Sequence, residues 1–210
     1  MIAVANRGTP FDVANSRYCA AQLEVYFREY VRAEALAMHA VELGEKHQFP
    51  NPAARGRGTL GLARAHLDRT AEGVALIQQC LAGLCEIGTR MGITTRMSDL
   101  AEAQGLQGCV GDALETVELA LQVLPDELCH RPETLRVRGE LRLKLGEMEL
   151  GEASYREAIE LAQTMGAKAW ELRATMSLAR LLRDTGRRDE TRARLAAIYN
   201  SFTEGFDTPT

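Results

Sequence analysis

Small and large apolar residues recur along the chain at the three- and four-residue spacings of a buried helical face. The stretch from Ser98 to Pro125 shows the pattern most clearly. There Ala101, Ala113 and Ala120 sit twelve and then seven residues apart, with Leu100, Val117 and Leu121 supplying bulk around them. Two helices joined by a turn near Gly108 would bring the alanines to the helix crossing, where a small side chain lets two backbones approach closely.

The same unit recurs before and after this stretch. The small residue of the first helix becomes Ala21, Gly61, Ala101, Gly139 and Ala179, at spacings of 40, 40, 38 and 40. That of the second helix becomes Ala33, Gly73, Ala113, Gly151 and Thr191, followed four residues later by Ala37, Ile77, Val117, Tyr155 and Leu195. Three further on stand Ala40, Cys80, Ala120, Ala158 and Ile198. Four series therefore keep one register. It predicts ten helices, over about 11–27, 31–46, 53–67, 70–88, 93–107, 110–124, 132–145, 149–165, 168–184 and 188–203.

Punctuation agrees with the register. Pro10, Pro50, Pro52, Pro125, Pro132 and Pro209 fall at proposed ends or junctions, where a missing N–H costs least. Gly108, Gly146 and Gly186 mark the turn inside the last three repeats, and Arg28 and Asp68 hold that place in the first two. One pair of helices cannot bury both of its apolar faces, whereas stacked pairs share a continuous core. The expected fold is all-α, a right-handed α-solenoid of about five helix-turn-helix repeats with a period near 40. A single 1–210 domain would then hold repeats at approximately 11–50, 51–90, 91–127, 128–166 and 167–206.

Composition narrows the choice further. Only 5% of residues are aromatic against 46% hydrophobic, which favours Ala/Leu-rich helices over sheets. A net charge of −4 gives no overall footprint for nucleic acid. The charge is uneven, however: residues 94–127 hold seven acids and one base, and residues 168–194 hold eight bases and four acids. That polarity could guide an acidic partner to the C-terminal end or allow head-to-tail self-contact. Cys19, Cys80, Cys85, Cys109 and Cys129 are odd in number and contain no CxxC pair, so they read as reduced, small core residues. No apolar run reaches the length of a membrane span and the start carries no leader pattern, so the expected compartment is the cytoplasm, with no membrane partner.

In the central unit, Leu100, Ala101, Ala113, Val117, Ala120 and Pro125 follow the order of large, small, small, aliphatic, alanine and proline that marks tetratricopeptide repeats (TPR), which this chain resembles. Gln104 stands where that family usually has tyrosine, and Thr191 and Ile198 stand at positions preferring alanine. The segments VRAEALAMHAVELGEKHQFP, AEGVALIQQCLAGL and AKAWELRATMSLARLLRDTGRRDETRARLAAIYNSFTEGFDT further resemble the C-terminal TPR region of bacterial STAND- or AAA-like ATPase regulators, some fused to adenylate/guanylate cyclase or winged-helix DNA-binding domains. In those regulators FTEGFD is followed by another helix, so the resemblance implies a stand-alone or truncated repeat module here.

The resemblance implies a non-catalytic protein–protein interaction module that binds a peptide or partner protein in a concave groove, in bacterial signalling or transcriptional regulation. The alternative is a sensory or autoinhibitory fragment of an ATP-dependent regulator or nucleotide cyclase. No GxxxxGK[ST] loop is present, so ATPase and cyclase activities do not carry over, and no enzyme activity is expected. His39, His47, His66 and His130 are dispersed without an i,i+4 pair, which leaves no catalytic, cofactor or metal site to assign, and the adjacent Cys129 and His130 read as a repeat junction. Carboxylates three apart, such as Glu115 and Glu118 or Glu157 and Glu160, read as a solvated helix face. An arginine cluster at Arg180, Arg183, Arg187, Arg188, Arg192 and Arg194 lacks the interleaved aromatics of a nucleic-acid site.

In the TPR register, first-helix positions two, five, nine, twelve and thirteen face the groove. They supply Asn15, Tyr18, Gln22 and Tyr26, then Arg55, His66 and Glu102, then Arg136, Glu140 and Lys144, and finally Arg173, Arg180 and Arg183. This mixed polar set suits an extended peptide or a partner helix. The ninth positions, Gln22, Leu62, Glu102, Glu140 and Arg180, lack the asparagine of a chaperone-tail carboxylate clamp. In the last helix Leu195, Ile198, Tyr199 and Phe202, followed by Phe206, form an apolar stripe: either a homodimer or partner surface, or a face that FTEGFD covers by folding back.

Overall fold

The computed structural model describes residues 8–203, without the side chains of Arg188 and Thr191. Within them lie ten helices: α1 (Pro10–Tyr26), α2 (Tyr30–Lys46), α3 (Pro50–His66), α4 (Thr70–Ile87), α5 (Ile93–Gln107), α6 (Val110–Val123), α7 (Arg131–Lys144), α8 (Met148–Thr164), α9 (Lys168–Asp184) and α10 (Arg188–Tyr199). The fold is all-α and is a TPR-like repeat solenoid, with no strand among the described residues.

Most predicted ends fall within a residue of the observed ones. Two differ. Helix α3 begins at Pro50 instead of 53, because Pro50 and Pro52 both lie in its first turn, where no backbone N–H is needed. Helix α10 stops at Tyr199 instead of 203.

The turns inside the repeats use left-handed residues. Gly108, Gly146 and Gly186 have φ of 93°, 80° and 83°, and Arg28 and Asp68 adopt the same conformation at 61° and 63°. A side chain there sits close to its own backbone, so these two turns are strained where the glycine turns are not.

Two compact units divide between Gly108 and Cys109. In the first, α1–α5, each first helix packs on the next first helix, α1 on α3 and α3 on α5, with α2 and α4 between repeats. Small residues dominate the crossings. A Cβ added to Gly61 would lie 2.6 Å from the carbonyl oxygen of Gly73, and one on Gly73 would lie 2.5 Å from that of Gly61, so α3 and α4 meet backbone to backbone. Around the crossings Val25, Leu62, Ile77 and Leu100 form the larger core.

The second unit, α6–α10, uses larger side chains. Leu121, Leu135, Tyr155, Ile159, Leu178 and Leu182 make its core, with α7 packed on α8 and α9. Here Gly139 faces a side chain, since its Cβ would meet the Tyr155 ring at 2.5 Å. Every described member of the four register series is buried except Leu195, which is half-buried. Of the cysteines expected in the core, only Cys80 is there, where burial pushes its thiol up to about 11. Cys19, Cys85, Cys109 and Cys129 lie on the exposed side of the helical period or in the turns, and are corrected to surface residues.

Candidate functional site

Because first helices stack on first helices, residues 36 to 40 positions apart on neighbouring repeats come together on one face. In the first unit that face is tied by a polar cluster. Thr59 Oγ1 on α3 donates to Gln22 Oε1 on α1 at 3.2 Å, and Arg96 on α5 donates to both Gln22 Oε1 and Thr59 Oγ1. Arg96 is buried, with 4% of its side chain exposed, and pairs with Asp99 at 3.0 Å. Burial is the largest single influence and opposes its charge, but the Asp99 carboxylate together with Tyr18, Cys80 and Tyr26 outweighs it and raises the guanidinium above its ordinary value. The slot for its guanidinium exists because residue 58 is glycine: a Cβ there would lie 2.6 Å from Arg96 Cδ.

Beside this cluster, Arg55 donates to Asn51 Oδ1 and to the Met91 carbonyl, both at 2.7 Å, and its guanidinium lies 5.9 Å from the Tyr18 ring centre. His66 stacks on Tyr30 at 4.1 Å and its Nε2 lies 3.0 Å from Glu102 Oε1. Of the expected residues, Tyr18, Gln22 and Arg55 therefore join one set of contacts and His66 and Glu102 a separate pair, while Asn15 is exposed and Tyr26 half-buried.

In the second unit the centre is Glu133, a buried carboxylate on α7. Arg136 donates to it at 2.9 Å and Arg173, from α9, at 2.7 Å. Burial alone would raise this carboxyl, but the charges and hydrogen bonds of the two arginines outweigh it and hold it well below the usual carboxylate range. Arg136 also pairs with Glu140, and Ser177 Oγ donates to the same Glu140 oxygen at 3.4 Å. Arg136 and Arg173, expected to meet a partner, are thus engaged inside the protein, and Arg136 is only 4% exposed along its side chain. Lys144, Arg180 and Arg183 are exposed, and Arg183 pairs with Asp184 at 2.9 Å.

An open cleft of about 280 Å³ lies between α7, α8 and α9. Leu143, Met148, Leu181 and the buried Tyr155 form its apolar wall, and Glu140, Ser177, Arg180 and Asp184 its polar one. Burial pushes the Tyr155 hydroxyl above its ordinary value, with Glu140 adding to the shift, so this residue stays neutral. Periodicity found Glu140 and Arg180. It missed Arg96, Asp99 and Glu133, whose roles depend on contacts between repeats; the signal available was that Glu133 shares the register position of Asn15, Arg55 and Arg173.

The last helix does not present the continuous stripe its sequence suggests. Ile198 is buried against the rest of the unit, Leu195 and Phe202 are half-buried and Tyr199 is 58% exposed. Phe206 lies outside the described residues. Arginines of the C-terminal cluster pair internally: Arg187 reaches Glu152 and Glu190 at 2.9 and 2.7 Å, and Arg194 reaches Glu190 at 3.3 Å. No group of three potential metal ligands occurs among the described residues, and no helix there is long and apolar enough to cross a membrane.

The helical pairs, their register and the packing of first helix on first helix within each unit define a tetratricopeptide-repeat fold. Solved structures agree. The chain is similar to a Rap protein complexed with Competence and Sporulation Factor, with a TM-score of 0.77 at 15% identity over 93% of this chain and 57% of that one. It is similar to Bacillus thuringiensis PlcR in complex with the peptide PapR7 and DNA, with a TM-score of 0.76 at 11% identity over 89% of this chain and 69% of that one. A STAND protein with a tetratricopeptide repeat sensor from Pyrococcus horikoshii gives 0.67 at 17% identity, over 90% of this chain and 30% of that one. No family model and no curated protein sequence matches the chain.

Proposed function

We propose that the protein is a non-catalytic interaction module that binds an extended peptide or a partner protein on its first-helix faces, in bacterial signalling or transcriptional regulation. The observation that carries this reading is that accessible side chains of those faces stand on a buried, hydrogen-bonded framework: Tyr18 and Arg55 beside the Gln22–Thr59–Arg96 contacts in one unit, and Glu140 and Arg180 at the open cleft beside the Glu133–Arg136–Arg173 contacts in the other. Side chains fixed before binding lose less entropy when a partner arrives. Supporting it, two proteins of similar fold are solved with a signalling factor or a peptide. The reading places the protein in the cytoplasm, where four exposed thiols stay reduced.

The test is peptide binding by the whole chain carrying Tyr18→Ala or Arg180→Ala, against outer-face controls Gln79→Ala and Glu157→Ala. First-helix substitutions are expected to weaken binding and outer-face ones to leave it unchanged. Nucleotide turnover by the purified chain would overturn the non-catalytic reading. A second reading, the sensor part of an ATP-dependent regulator, is favoured by the similarity to a STAND protein's repeat sensor. Under it, adding the cognate ATPase domain would change peptide affinity.

A further inference from the structure

The cleft between α7, α8 and α9 has a charge balance that selects its occupant. Three ionic side chains reach its rim, and two of them are neutralised by neighbours. Glu140 is paired with Arg136 and Asp184 with Arg183. Arg180, exposed and at the mouth, forms no ion pair among the described residues. The rim therefore offers one uncompensated cation above an apolar wall that includes Met148, itself 41% exposed.

We propose that this cleft takes one aliphatic side chain of a peptide while Arg180 pairs with an acidic side chain adjacent to it in the same peptide. The proposal rests on the interaction-module reading and names the chemistry of its partner. Size agrees with it, because 280 Å³ holds a Leu, Ile or Met side chain with part of its backbone but not a folded element. Chemistry agrees too. A guanidinium forms two parallel hydrogen bonds to a carboxylate, and at the edge of an apolar wall that pair is less screened than in open water.

The experiment is selection of random dodecapeptides, displayed as internal fusions, on the immobilised full chain in three forms: wild type, Arg180→Glu and Met148→Lys. Both substituted residues are exposed, and thermal melts by circular dichroism check that each variant folds. The wild type is expected to enrich an aliphatic residue beside Asp or Glu. Arg180→Glu should lose the acidic preference and gain Lys or Arg, Met148→Lys should lose the aliphatic one, and each should bind the wild-type consensus peptide at least about tenfold more weakly. A wild-type consensus without the aliphatic–acidic pair, or one equally bound by both variants, overturns the assignment of this cleft and leaves the interaction-module reading standing if Tyr18→Ala weakens binding. No enrichment by the wild type overturns both readings together.

Discussion

Gln22, Thr59 and Arg96 in the first unit and Glu133, Arg136 and Arg173 in the second do the same work, tying one first helix to the next, with different chemistry. The first cluster spreads one buried cation over a carboxylate and two neutral acceptors. The second sets one buried carboxylate between two arginines, of which Arg136 also pairs with a further carboxylate, Glu140. The packing beneath differs in parallel: backbone meets backbone at Gly61 and Gly73, whereas Gly139 makes room for the Tyr155 ring. A repeat register constrains volume at the crossing and leaves the polar solution to each interface.

The largest expected effect comes from removing the carboxylate on which two arginines rely. Glu133→Gln leaves Arg136 and Arg173 without their shared counter-charge and should destabilise the protein by about 3 kcal/mol in denaturant unfolding. It should also change the acid response. A carboxyl held low in the folded state contributes stability that is complete above the unfolded value near 4.5 and is lost as pH falls through the folded one, so wild-type stability should drop steeply below that pH and the variant's much less. If the two proteins show the same acid dependence, Glu133 is not the centre of that cluster.

Packing gives the next effect. Gly61→Ala gains about 1 kcal/mol of helix propensity yet should cost about 2 kcal/mol overall, because its methyl group meets a carbonyl oxygen that cannot rotate away. Gly139→Ala should cost less, since the atoms it meets first belong to the Tyr155 side chain and not to the backbone. Equal losses would mean that the two crossings are packed alike.

The turns should respond in the opposite direction. Asp68→Gly and Arg28→Gly relieve left-handed strain and should each stabilise by about 1 kcal/mol, read as a higher melting temperature. The turns of the second unit, already glycine at 146 and 186, have no equivalent gain to offer. The smallest effect is kinetic. In the native protein Cys19, Cys85, Cys109 and Cys129 should react promptly with a maleimide, and Cys80, buried and shifted to about 11, only after unfolding.

The helices, their turns and the small-residue crossings were legible in the sequence because each follows from spacing along one repeat. Even the left-handed turns at Arg28 and Asp68 followed from register, despite neither residue favouring that conformation. The face proposed to bind was legible only in part. Position along a helix tells which way Arg136 and Arg180 point, but not that Glu133, beside Arg136, also receives Arg173 from the next repeat, nor that Arg180 forms no ion pair among the described residues. Such facts arise between repeats, where a residue's partner is about 40 positions away. The cysteines failed for a related reason: small size permits burial at a crossing without requiring it.

A photo-crosslinking amino acid placed at position 180, compared with one at position 157, tests the first-helix binding face most directly. With a selected peptide bound, the account predicts covalent capture from position 180 and none above background from position 157. Capture from 157 equal to or greater than that from 180 would contradict it.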